Sequence, residues 1–213
     1  MTLYHDFTEH GIPCVNLASP QMLWQIAKHF ADLGHRSVDC LNTQPCSPLI
    51  LERMETWTAA ARRFGLDTVV HNHEVEAFAR TDEHAHRVAP SVIANPRRHI
   101  TGLFCTTSAA ARGVLRASHE LGIRVGPDLS LASCDNTREA KLEVPSLTTL
   151  DNPTPHAVLE QGLRWIRTGG KNWKGPLKIE PADVQLWKGE STQPPARLKR
   201  PLSNGRASAL ARR

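Results

Sequence analysis

Residues 102–133 read GLFCTTSAAARGVLRASHELGIRVGPDLSLAS, and this stretch decides the fold. Gly102-Leu103-Phe104-Cys105 is an apolar run of strand length. Ser108 is of a type that caps helices, and Ala111, Val114, Leu115 and Leu121 then recur at helical spacing. Gly122 stops that helix where a C-terminal glycine is expected. Residues 129–133 show no clean polar alternation, the pattern of a strand covered on both faces. Strand, helix and strand in this order form a crossover between parallel strands. The fold class is therefore α/β with a parallel sheet.

The same alternation extends outward. Residues 12–17 read as a short strand, with Pro13 fitting only its start. Pro20 opens a helical stretch in which Met22, Leu23, Ile26, Ala27, Phe30 and Leu33 repeat until Gly34. A strand is predicted over 37–41, a loop with two prolines over 42–48, a helix over 49–64 and a strand over 68–70. Residues 71–98 read as loop, a helix near 82–88 and then irregular chain. Downstream, a helix is predicted over 155–168, carrying Val158, Leu159, Leu163 and Ile166 as an apolar stripe, and a strand over 184–187. From residue 193 onward Pro, Arg, Ser and Ala mix without apolar period, which reads as a disordered tail.

The 213 residues suit one large domain or two small lobes with a buried core. No apolar run approaches the length of a membrane span, and the first thirty residues lack a basic start followed by an apolar core. Five widely spaced cysteines without a C-x-x-C pair read as buried thiols of a reducing cytoplasm. The net charge of +5 is local: residues 197–213 hold six basic residues and no acid, leaving 20 basic against 21 acidic residues before them. A phosphate-gripping surface on the folded body is therefore not implied.

Catalytic signatures are sparse. His71-Asn72-His73-Glu74 places two imidazoles two residues apart, as some zinc sites do, but no helical His-Glu-x-x-His or cysteine pair accompanies them. Surface histidines are the plainer reading. Neither a Gly-x-Ser-x-Gly elbow nor a glycine-rich phosphate loop occurs.

Seven phrases in order carry a resemblance. They are Gly11-Ile12-Pro13-Cys14-Val15; Leu33-Gly34-His35-Arg36; Ser47 followed by Arg53; Ala111-x-Gly113; Leu121 through Asp128; Cys134-Asp135-Asn136; and Pro145-Ser146-Leu147-Thr148-Thr149. Glu190 through Pro195 is similar to a closing phrase of the same family. Together they resemble the effector-sensing domain of the LacI/GalR (lactose-repressor) family of transcription regulators.

The resemblance implies a periplasmic-binding-protein-like fold of two α/β lobes, with a complete C-lobe and a fragmentary N-lobe. Residues 1–17 would end the N-lobe, 18–145 form the C-lobe, 146–176 return to the N-lobe, 177–192 come back, and 193–213 form the basic tail. It implies a non-enzymatic, cytoplasmic sensor without cofactor, and no membrane contact. Its effector would be a sugar or related small polar metabolite, its partner a second copy of the chain. DNA would be met only through a headpiece that these residues do not contain. Arg53, Asp135, Thr107, Ser47 and Asn136 fall on the family's ligand positions. A guanidinium fork and a carboxylate suit a polyhydroxyl ligand, the one donating and the other accepting.

Departures stand beside the matches: Thr107-Ser108 replaces the family's Asn-Asp, Ala18-Ser19 its Asp-Asn, and Ser133 and Thr56 two of its glycines. Two alternatives follow, a relic of the family that binds nothing and a metal-dependent enzyme using His71, His73 and Glu74. With most of the first lobe's strands absent, the stripe on 155–168 is expected to be poorly ordered, docked on the C-lobe, or covered by a second copy.

Overall fold

A computed structural model describes residues 1–3, 6–16, 20–135, 138–151, 155–171, 173–181 and 183–196. The expected disordered tail lies largely outside them. The elements in chain order are β1 (Thr2–Leu3), β2 (Cys14–Val15), α1 (Leu23–Asp32), β3 (Val38–Asn42), α2 (Pro48–Arg63), β4 (Val70–Asn72) and α3 (Thr81–Ile93). They continue with β5 (Gly102–Cys105), α4 (Ser108–Glu120), β6 (Ser130–Ser133), β7 (Thr149–Asp151), α5 (Pro155–Arg167), β8 (Lys178–Ile179) and β9 (Gln185–Trp187).

The larger sheet is parallel, in the order β4-β3-β5-β6. Side chains alternate across it as the pleat requires. Val38, Cys40, Phe104 and Ala132 meet α1 and α2 on one face. Leu41, Leu103, Cys105 and Leu131 meet α3 and α4 on the other. The first face is centred on Trp57, stacked on Phe104 with ring centroids 4.5 Å apart and held by its indole N–H on Thr68 Oγ1 at 2.9 Å. The fold predicted from residues 102–133 is the one observed.

Several boundaries differ for identifiable reasons. Thr107, not Ser108, caps α4, its hydroxyl accepting from Ala110 N–H. The helix read near 82–88 runs on to Ile93 through Pro90. Proline deletes one backbone bond there, but Ala85, Ala89 and Val92 bury together with the residues of α4, and that packing holds the last turn. Strand β4 begins two residues late, at Val70, because Val69 N–H donates to the Asp39 carboxylate. Cys46 is half-buried, unlike the other four thiols.

Helices α3 and α4 touch backbone to backbone at Gly113. A Cβ there would stand 2.6 Å from Ala85 Cβ and His86 N and closer still to Asp82 O. Gly113→Ala should therefore cost about 1–3 kcal/mol by overpacking, read as a lowered urea midpoint.

A second, small parallel sheet, in the order β1-β2-β8, joins residues 2–3 and 14–15 to residues 178–179. Helix α5 packs on it through Val158 against Val15 and Ile179, with Met1, Leu159 and Trp173 alongside. This corrects two of the three expectations for the α5 stripe: the helix docks on the sheet fragment, neither loose nor on the larger sheet. Leu163 and Ile166 remain about half exposed.

Leu147 and Leu150 are buried in the cores of the larger sheet, Thr148 bridges Ala132, and β7 pairs antiparallel with β9. Lys178–Ile179 pairs with Cys14–Val15 in the small sheet.

Candidate functional site

In a parallel sheet the loops at the carboxyl ends of the strands are free of the ladder and gather on one edge. Four of them meet here. Ser47 caps α2 with its Oγ accepting from Ile50 N–H, and Pro48 supplies a preset first turn. Ile50, Arg53, Met54 and Trp57 then fall on the helix's buried face, which brings a guanidinium under the sheet edge.

Arg53 is 5% exposed. Its Nη1 donates to the Thr106 carbonyl at 2.7 Å and to Asp135 Oδ1 at 3.1 Å. The other carboxylate oxygen of Asp135 accepts from Ser108 N–H at 2.8 Å, at the first turn of α4, where the helix dipole favours an anion. Ser108 Oγ and Ser133 Oγ are 2.9 Å apart, and Thr149 Oγ1 donates to the Asp135 carbonyl. The Asp135 side chain keeps 27% of its surface open to solvent. A dry, charge-matched pair with an open carboxylate results, suited to accepting hydroxyl protons from a neutral ligand.

The residues expected to act together divide as follows. Arg53 and Asp135 are brought into direct contact. Thr107 stands beside them, with its hydroxyl accepting from Ala110 N–H and from the Gln44 side chain at 3.1 Å. The Ser47 hydroxyl serves the α2 backbone instead. Asn136 lies outside the described residues. An apolar groove of about 410 Å³ opens elsewhere, between Leu115, Ile123 and Val144-Pro145, past the far end of α4, and contains none of these residues.

The histidine motif separates. His71 Nε2 pairs with Asp39 Oδ2 at 2.8 Å, the His73 ring faces His84 at 6.5 Å between centroids, and Glu74 accepts from Cys46 N–H. Among the described residues no three His, Cys, Asp or Glu side chains come together around a space for a metal ion. The zinc alternative thus has no ligand set.

Sequence reading missed two groups. One is the network of Asn42, Gln44, Asn72 and Thr106 at the same sheet edge, signalled only by a polar, proline-bracketed loop after a strand. The other is the buried pair His29 and His35, which bind the returning segment near Thr192 and Gln193.

Comparison with known proteins agrees with this architecture. Residues 27–158 match the family described as periplasmic binding protein-like domain. The HTH-type transcriptional repressor PurR of Pectobacterium atrosepticum is 28% identical over 137 residues, 61% of this chain. The match spans 37% of that repressor's own length. Among solved structures, a LacI family transcriptional regulator from Enterococcus faecium with bound ribose has a TM-score of 0.69 at 18% identity, covering 85% of this chain and 66% of its own. A sugar-binding transcriptional regulator of the LacI family from Escherichia coli, complexed with phosphate, reaches 0.71 at 18% identity over 92% of this chain and 68% of its own. The family match runs from within α1 to beyond β7 and takes in the whole sheet that carries the Arg53–Asp135 pair. The chain belongs to the periplasmic binding protein-like domain family.

Proposed function

We propose that this chain senses a small neutral polyhydroxyl molecule of the sugar class for a LacI-type regulator, with Arg53 and Asp135 as its principal contacts. The observation that carries the reading is the buried guanidinium fixed by the Thr106 carbonyl and aimed at a half-open carboxylate. Because Asp135 already neutralises Arg53, an added anion gains little there, whereas sugar hydroxyls can bond to both partners. Ligand matters for regulation only if it prefers one arrangement of the lobes over another. In this reading the chain works as a homodimer, is not an enzyme, and meets DNA through a headpiece outside these residues.

Calorimetric titration with D-ribose and a panel of pentoses and hexoses tests it. Asp135→Ala should weaken binding by about 1.5–3 kcal/mol, the worth of a hydrogen bond to a charged group. Asp135→Asn, which keeps the shape and one acceptor, should lose less. Equal affinity in all three proteins would remove Asp135 from the site. No heat with any sugar would favour the relic reading.

A further inference from the structure

We infer that Gln44, on the loop between β3 and α2, is a specificity-determining ligand contact of the same site; this rests on the sugar-sensing reading above. The argument begins with its backbone. Asn42 is fully buried, and its side chain holds Gln44 at both ends: Asn42 Oδ1 accepts from Gln44 N–H at 3.1 Å, and Asn42 Nδ2 donates to the Gln44 carbonyl at 3.0 Å. The same amide donates to Asn72 Oδ1 at 2.8 Å and accepts from Thr106 Oγ1 at 2.8 Å. The loop is thereby tied to β4 and to the residue whose carbonyl holds Arg53.

The Gln44 side chain is fixed as well. Its Nε2 donates to Thr107 Oγ1 at 3.1 Å, one residue from the Ser108 N–H that binds Asp135. Its Oε1 accepts no hydrogen bond from any described residue, and Gln44 is half-buried rather than free in solvent. A carboxamide anchored at its backbone and its nitrogen, with one acceptor left over beside an arginine–carboxylate pair, is preorganised to accept from one ligand hydroxyl. Such fixing is what turns a polar contact into selectivity, because little side-chain entropy remains to be lost.

The test compares wild type, Gln44→Ala, Gln44→Glu and Asp135→Ala by calorimetry, using the sugar that wild type binds most tightly and its set of monodeoxy analogues. Gln44→Ala should weaken the parent sugar about 3- to 10-fold, the worth of one neutral hydrogen bond. It should also abolish the penalty for removing one particular hydroxyl while leaving the other penalties in place. Gln44→Glu keeps an acceptor there and should retain that penalty. A merely structural role would weaken all analogues alike. Wild-type affinity in Gln44→Ala, or a uniform loss across the analogues, would overturn the assignment while Asp135→Ala still reports a working site. Absence of any sugar binding by wild type would overturn the parent reading and this one together.

Discussion

Replacing Arg98 by Met should lower the unfolding free energy by about 3–5 kcal/mol at neutral pH, the cost of stranding a buried charge. The charge is Asp39, whose side chain is 1% exposed on β3, on the face that carries Leu41 and packs toward α3 and α4. Burial alone would push its carboxyl up. Hydrogen bonds from His71, Arg98 and the Val69 N–H outweigh that and hold it below its ordinary value. Arg98 supplies the largest positive partner, with Nε and Nη2 forked onto the carboxylate at 2.6–3.0 Å and Nη1 on Asp67. Without it the carboxylate stays in the dry interior with His71 and one backbone donor. Arg98→Lys should recover only part of the loss, since an ammonium cannot form the fork. Adding Asp39→Asn to Arg98→Met should recover more, because the orphaned charge is then gone. Urea unfolding of the single and double variants measures this, and a loss below about 1 kcal/mol for Arg98→Met would show that the fork is dispensable.

Acid should destabilise the protein as the pH falls from about 6.5 to about 4, and above about pH 5 ordinary carboxylates are still largely charged, so the histidines act there alone. His29 is 8% exposed and hydrogen-bonded to Thr192 Oγ1 at 2.9 Å. Burial, assisted by the Lys188 charge, pushes its pKa down from 6.5 to about 4. Burial also lowers that of His35, against a smaller opposing effect of its bond to the Gln193 carbonyl. A histidine depressed in the folded state is protonated first in the unfolded chain, so acid favours unfolding. The stability is fully present above about pH 6.5 and is lost as pH falls toward 4. For His29 alone the loss is about 3 kcal/mol over that interval. His29→Gln, which can still reach Thr192, should flatten the pH dependence of the urea midpoint by one proton's worth. An unchanged slope in that variant would place the acid-sensitive group elsewhere.

The parallel sheet was legible because most of its strands and helices carry their own period and stop, as Gly34, Gly65 and Gly122 do, while α3, with no terminal glycine, was read short. Arg53 and Asp135 were legible only through resemblance, since nothing local distinguishes a buried arginine from one on a wet helix face. In retrospect Arg53 lies on the stripe of Ile50, Met54 and Trp57, and a charge on an apolar stripe was the signal available. Asp39 gave no comparable warning, because its partners His71 and Arg98 are 32 and 59 residues away. Strands β1, β2 and β8 are two residues long, too short for period to speak. Thr107 rather than Ser108 caps α4, because, of two adjacent hydroxyl residues, only the backbone decides which one caps.

The small sheet has a consequence for the order of folding. All four strands of the larger sheet lie between residues 38 and 133; β3 and β4, and β5 and β6, are each joined by a single crossover, and α3 carries the chain from β4 past β3 to β5. The small sheet instead joins residues far apart in the chain, and Asn16 donates to Glu180 across a separation of 164 residues. Closing so long a loop for two rungs of ladder carries an entropic cost that the short strands cannot meet alone. Once the intervening chain has folded, its ends are already near each other and most of that cost has gone. The β1-β2-β8 sheet is therefore a late arrival, whose persistence is borrowed from the larger lobe, and it is the first part to open when that lobe fluctuates.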